Sequence, residues 1–364
     1  MAATSDARLV LMTGFPGFLG KLLLLRLARQ NPADRYLLLV EDRFRERAEG
    51  SLARLAREDL PGLDGRCELL TGDISRTLLG LEPERYAELA RTLAQVWHLA
   101  AIYDLAVPPD LAHRVNVVGT TNVLDLCEQC TGLQFMGYVS TCYVSGRRRG
   151  VILESELDCG QTFKNHYEST KFWAELEVQR RTKVPSIIFR PGIVVGDSRT
   201  GITDKYDGPY FVLRLLQHLP AFLPVPNVGR GDAVVNIIPS DFAVEAMAEI
   251  ARQPEAVGKV FQLADPRSLR SREIMALMLS VAGKGRVVGA VPARLVEGLV
   301  GLAPVSRFLR LPREVLEYFN HEAIYDSSNT QQFLAASGLR CPALADYLPV
   351  LYRFMREHED PLAR

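Results

Sequence analysis

Tyr167 and Lys171 stand four residues apart in the stretch Asn165 to Glu175, which has helical character. Residues at that spacing share one helix face, about 6 Å apart along the axis. A lysine ammonium so close favours tyrosinate. The spacing therefore predicts a phenol whose pKa is drawn below ~10 and which serves as a general acid or base near neutrality. An idle surface pair would be spelled the same way, and company decides between the two. Upstream, Gly137 to Gly146 reads as a strand running out into a turn. In an open parallel sheet, a hydroxyl at a strand's carboxyl end faces the ligand crevice, which places Thr141 to hold the oxygen that Tyr167 protonates. Ser140 is the alternative, its plainer role being to satisfy backbone groups at the strand end.

A second constellation lies near the amino terminus, in Thr13 to Gly20. Gly14 permits a tight turn, Gly17 lets backbone approach a pyrophosphate, and Gly20 permits close helix packing. Pro16, Phe18 and Leu19 fill the loop between them, and the helix that follows offers unpaired N–H groups to an anion. The spacing is Gly-x-x-Gly-x-x-Gly, not the Gly-x-Gly-x-x-Gly of the familiar dehydrogenases. About 20 residues further on stands Glu41, where a carboxylate accepts hydrogen bonds from adenosine ribose hydroxyls and repels a 2′-phosphate. That favours NADH. Arg43 and Arg45 pull the other way, since either would attract such a phosphate.

These residues need elements to hold them. Short apolar runs alternate with longer helical patterns, the mark of strand–helix–strand units. Strands are expected at Arg8–Thr13, Tyr36–Val40, Cys67–Thr71, Val96–Leu99, Gln134–Ser140, Ser186–Arg190 and Lys259–Ala264. Helices are expected at Phe18–Gln30 and Asn116–Gln129, among others. Parallel strands need helical crossovers. The expected fold class is thus α/β, a Rossmann-type doubly wound parallel sheet with a smaller, helix-rich carboxy-terminal lobe capping the substrate. Residues 1–200, with 232–265 contributing, form the dinucleotide-binding core, and 201–231 with 266–364 form the capping lobe.

Composition narrows the partners. The 364 residues are 48% hydrophobic and 24% charged, with Lys+Arg and Asp+Glu both at 43, which offers no bulk attraction to nucleic acid. Met1 to Arg8 is short and polar, so a cytoplasmic location is the default. The apolar segment Ala293 to Leu311 carries Arg294, Glu297, Arg307 and Arg310, short of the ~20 clean residues of a membrane span. It suits a lid over an apolar pocket, with membrane-surface attachment as the rival. The lone Cys127-x-x-Cys130 has no second pair for zinc, and the six cysteines read as core thiols in a reducing compartment. No metal is expected. His98 reads as a packed, hydrogen-bonded residue rather than a catalyst, and Trp173 as core.

Taken in order, several segments resemble an extended short-chain dehydrogenase/reductase, in the fatty-acyl and thioester reductase or "male sterility" branch. They are Thr13 to Gly20, Gly72-Asp73-Ile74, His98 to Ala101, Asn116 to Thr120, Ser140-Thr141, Asn165 to Glu175, Arg190 to Ser198 and Ile238 to Phe242. The resemblance implies that Asp73 and Ile74 bracket the adenine, and that Leu99, Ala100 and Ala101 run beneath the pyrophosphate and ribose. It further implies that Pro191, Gly192 and Ile193 contact the nicotinamide carboxamide, and that Lys171 also holds the nicotinamide ribose. The branch usually places an arginine where Glu41 stands, so its NADPH default conflicts with the carboxylate here.

The expected activity is NAD(P)H-dependent reduction of a carbonyl (acyl thioester, aldehyde or ketone) on a hydrophobic, acyl-carrier-linked or CoA-linked substrate. Any carrier would be met in trans, and a homodimer is one option for the assembly. The runner-up is a sugar-nucleotide epimerase or dehydratase with retained NAD, which Glu41 suits and the apolar capping segments do not. A catalytically silent dinucleotide-binding regulator would have no use for Thr141, Tyr167 and Lys171 together.

Overall fold

The computed structural model describes residues 7–103, 107–292 and 321–359. Seven parallel strands form the main sheet: β1 (Leu9–Thr13), β2 (Arg35–Val40), β3 (Cys67–Thr71), β4 (Leu93–His98), β5 (Phe135–Val139), β6 (Ser186–Pro191) and β7 (Val260–Leu263). Their order is β7-β6-β5-β4-β1-β2-β3. The winding therefore reverses between β1 and β4, and open parallel sheets bind ligands in the crevice beyond such a reversal.

The sheet is buried on both faces, which is why its strands read as continuous apolar runs. In β1, Val10 and Met12 join one core layer with Leu23, Leu24 and Leu27 of the helix Phe18–Gln30 and Met247 of the helix Ser240–Ile250. Leu11 joins the opposite layer with Leu89, Val123, Leu124 and Val178. Each such leucine taken fully from water contributes about 1.5–3 kcal/mol.

The doubly wound fold is the one expected, with strand boundaries shifted slightly. β4 starts at Leu93 rather than Val96, because the polar Gln95 is buried and its amide donates to Gln134 Oε1 at 3.0 Å. The helix Gly119–Gln129 follows a π-helical turn, His113–Val118, where a single helix from Asn116 was expected.

A separate apolar cluster forms from Val195, Tyr206, Tyr210, Leu213, Ile237, Ile274 and Met278 with Leu344, Tyr347 and Leu351 of the helix Leu344–Glu357. The helix Ser328–Leu334 lies elsewhere, with Leu334 in the main core and the Phe333 ring 5.0 Å from that of Phe261 on β7. The buried Glu154 fastens it. Its carboxylate accepts from Gln262 N (2.8 Å), Asn329 N (2.6 Å), and Thr330 N and Oγ1 (3.3 and 3.1 Å).

Two expectations fail. Trp173 is 49% exposed, because it shares the outer helix face with His166 and Arg180 while Phe172 and Ala174 turn inward. Cys159 is exposed, so the six cysteines are not all core thiols. The segment 293–311 lies outside the described residues. Among the described residues no helix is long and apolar enough to cross a membrane.

Candidate active site

β1 ends at Thr13 and the chain turns at once through Gly14, whose φ is +88°. A Cβ there would sit 2.8 Å from Ala100 N, closer than real Cβ atoms come. A Cβ on Gly17 or Gly20 would meet the Gly14 carbonyl oxygen at 2.7 or 2.6 Å. Gly17 N donates to that same oxygen at 2.8 Å. The chain here, with Pro16 in the loop, is thus wound too tightly for a side chain at Gly14, Gly17 or Gly20, and it leads directly into the helix carrying Phe18, Leu19 and Gly20 in its first turn. The first N–H groups of a helix have no partner within it, so this cradle fits a pyrophosphate in both shape and charge.

Around the cradle, Glu41 follows β2 and pairs with Arg43 Nε at 2.7 Å. Arg45 donates to Thr71 Oγ1 at 2.7 Å and to Glu49 Oε1 at 3.0 Å. Asp73 accepts from Ser75 N at 2.8 Å, and Ile74 packs so closely on Gly119 that a Cβ there would lie 2.8 Å from its Cδ1. Leu99 to Ala101 follow β4, with Ala100 N donating to Thr13 Oγ1 at 3.1 Å. Pro191 ends β6. Gly192 N donates to Leu263 O at 3.0 Å and Ile193 N to Asn236 O at 2.9 Å.

Tyr167 and Lys171 lie on the helix His166–Arg180, which Asn165 caps by accepting from Glu168 N at 2.9 Å. Thr141 sits two residues beyond β5, accepts from Tyr143 N at 3.3 Å, and has its hydroxyl beside the Tyr167 phenol. Lys171 is buried and donates to the Tyr138 phenol oxygen and to Val139 O, each at 2.8 Å. Burial pushes its pKa down to about 7, against the opposing pull of Glu175.

One expectation is corrected here. The Tyr167 phenol is held above its ordinary pKa, not below it, because burial outweighs the opposing influence of the Thr141 hydroxyl. Lys171 does not lower it, since its bonds are to Tyr138 and Val139. Ser140, the alternative to Thr141, is committed elsewhere. Its hydroxyl donates at 2.5 Å to Glu175, which forms a fully buried pair with Arg190.

Several residues beside the site escaped the sequence reading. The Tyr103 ring stands edge-on to Tyr167, centroids 5.0 Å apart, and Lys205 Nζ lies 4.4 Å above the Tyr103 ring. Lys21, just past Gly20, pairs with Asp204 at 2.7 Å. Nothing in their spacing signals these meetings, because the partners are a hundred or more residues apart or lie on different elements. His98 is buried and held near a pKa of about 3 by burial, so it is a neutral hydrogen-bonding group.

An NAD-binding family model described as "Male sterility protein" matches residues 12–247. Glycine betaine reductase ATRR of Emericella nidulans is 30% identical over 75% of this chain, and the match spans 22% of that relative. The chain spans between 5% and 35% of the length of the first curated relatives it matches. The crystal structure of the terminal R domain from the myxalamid PKS-NRPS biosynthetic pathway is 26% identical with a TM-score of 0.81, covering 98% of this chain and 93% of that one. A UDP-glucuronic acid 4-epimerase from Bacillus cereus, in complex with NAD, shares the fold at 17% identity and a TM-score of 0.67, over 98% of this chain and 99% of its own.

Proposed function

The chain belongs to the NAD-binding male sterility protein family, with an extended short-chain dehydrogenase/reductase fold, and from that premise we propose that it reduces the carbonyl of a hydrophobic or carrier-linked substrate. The observation that carries this reading is the meeting of Thr141, Tyr167 and the buried Lys171 beyond the end of β5, in the sheet whose β1 opens the glycine cradle. Gly14, Gly17 and Gly20 with the helix N-terminus hold the pyrophosphate, Asp73 and Ile74 the adenine, Leu99 to Ala101 the underside, and Pro191 to Ile193 the carboxamide. When bound, the nicotinamide supplies hydride to the carbonyl carbon.

The protein supplies the rest. Tyr167 keeps its proton across the neutral range, because burial holds the phenol above its ordinary pKa. It is therefore a general acid, and it passes that proton to the carbonyl oxygen as negative charge develops there. Thr141, whose hydroxyl lies beside the phenol, orients the same oxygen. Lys171 supports the nicotinamide ribose. In this reading residues 201–231 and 266–292 with the helix Leu344–Glu357 cap the substrate, with Tyr206, Tyr210, Leu213 and Leu216 among the apolar groups of that part. An acyl thioester is the substrate class that this apolar cap favours over a sugar nucleotide.

The test is turnover of acyl-CoA thioesters, aldehydes and nucleotide sugars in the presence of reduced cofactor. Loss of nicotinamide absorbance with the thioesters or aldehydes supports the reading. Conversion of nucleotide sugars with no net cofactor consumption would replace it with the epimerase.

NADH is the preferred cofactor in this reading. Glu41 stands at the ribose position, and both arginines that would attract a 2′-phosphate already have partners, Arg43 on Glu41 and Arg45 on Thr71 and Glu49. Titration of both reduced cofactors should show tighter NADH binding. Tighter NADPH binding that collapses in Arg43→Ala would assign the ribose end to the arginine instead.

A further inference from the structure

Lys171 has three N–H protons, and two are committed within the protein, to Tyr138 and to Val139 O. An ammonium only donates, so the Tyr138 oxygen accepts and its own proton is left to donate onward. The Tyr138 ring stacks on the imidazole of His98, centroids 5.7 Å apart. The Thr120 hydroxyl directs its proton to Asn116 O at 2.6 Å, so its oxygen accepts from His98 Nε2 at 3.0 Å. His98 therefore carries its proton on Nε2, and Nδ1 accepts from the Thr13 hydroxyl at 2.7 Å. Thr13 Oγ1 in turn accepts the Ala100 N–H. When His98 is neutral, the protons of Thr120, His98 and Thr13 each have a destination. A second proton on the imidazole would set an Nδ1–H against the Thr13 proton.

The contacts run from the lysine on one side of the crevice to the residue that opens the glycine loop on the other. We propose that Tyr138 is a positioning residue for the reduction. Its ring, stacked on the His98 imidazole that Thr13 and Thr120 hold from either side, sets the phenol that fixes Lys171, so that the remaining N–H is available to the nicotinamide ribose. Tyr138 touches neither substrate nor cofactor and acts only through the lysine. The proposal rests on the reductase reading for the identity of the ligand, while the bonds themselves do not depend on it. Burial and Glu175 on its own helix govern the charge on Lys171, and His98 from β4 and the Tyr138 phenol from β5 face it, with Tyr167 one turn earlier on the same helix. Arg190 on β6 neutralises Glu175 from behind. Among them Tyr138 is the side chain that accepts from the ammonium.

Tyr138→Phe keeps the ring and removes only the oxygen. The full chain is titrated with whichever of NADH and NADPH binds more tightly, and with ADP or 2′-phospho-ADP as the matching probe that lacks the nicotinamide ribose. Binding of the reduced cofactor should weaken by about tenfold while the probe changes by less than about twofold, since one hydrogen bond to a charged group is lost. The pH above which cofactor binding declines should also move down, because the charged lysine has lost an acceptor. Thr120→Val removes the hydroxyl that holds His98 against the Tyr138 ring and should give the same contrast, whereas Thr120→Ser keeps the hydroxyl and should bind like the parent. Equal weakening of cofactor and probe, or no weakening, overturns the proposal. If Tyr138→Phe does not fold, Thr120→Val decides in its place. If the parent turns over no carbonyl substrate, the reductase reading fails, yet the contrast between cofactor and probe still tests the positioning role.

Discussion

Removing only the phenolic oxygen in Tyr167→Phe leaves the ring packed against Tyr103 and takes away the proton donor. Turnover should fall by roughly 10²- to 10⁴-fold with cofactor affinity nearly unchanged. Full turnover, with chemistry shown to limit the rate, would rule the phenol out. Lys171 predicts a pH effect whose sign follows from burial. Its pKa in the fold is pushed down to about 7, below its value in the unfolded chain, so the charged form is present below that pH and lost above it. Single-turnover rates should therefore decline as pH rises through about 7. Stability should run the other way. From about 7 upward the unfolded chain holds this proton more tightly, so the group's own contribution to stability grows with pH. Rates that stay flat through that range would show that the lysine's charge is not used. Spacing made the Tyr–Lys pair legible, because a helix brings residues four apart to one face. It misjudged the electrostatics, because where an ammonium points and how deeply a phenol is buried are set by β5, far away in the chain.

Between elements, the main fastening under the site is Glu175 on the catalytic helix with Arg190 on β6, a pair 0% and 1% exposed. Arg190 Nε and Nη2 both reach the carboxylate, at 3.0 and 2.5 Å, and Ser140 donates to it from the end of β5. The helix that places Tyr167 and Lys171, the end of β5 that leads to Thr141, and β6 are thus tied at one carboxylate. Glu175→Gln leaves a buried guanidinium without its counter-ion and should cost about 3–5 kcal/mol in urea unfolding. The double change Glu175→Leu with Arg190→Met should cost far less, since a well-packed apolar replacement carries no stranded charge. A single variant no less stable than the parent would show that water reaches the pair. Both residues stood in segments that marked the family resemblance, yet their pairing was not legible, because it joins a helix to a strand across the sheet. The glycine cradle was legible, because its strand, loop and helix are contiguous and the turn tolerates no side chain.

Across the whole molecule, apolar alternation revealed the doubly wound sheet, since each strand carries its own burial pattern. Where the last elements go was less visible. The expected capping lobe begins at 266, but the helix Ser328–Leu334 returns to the main core, and Ala323–Tyr325 pairs in parallel with Gly150–Ile152. Short polar-flanked segments such as these carry too little periodicity to announce a partner 170 or more residues away. Glu154 gives that return a consequence during synthesis on the ribosome. Its buried carboxylate takes one backbone donor from β7 and the rest from Asn329 and Thr330, so the first two-thirds of the chain emerge with this group unsatisfied. The nascent core must wait, its far edge open to aggregation or chaperone capture, until residue 330 clears the exit. A chain truncated before residue 321 should therefore accumulate as insoluble or chaperone-bound material. Adding residues 321–359 back as a separate polypeptide should recover soluble protein only if supplied while the truncated chain is still being made.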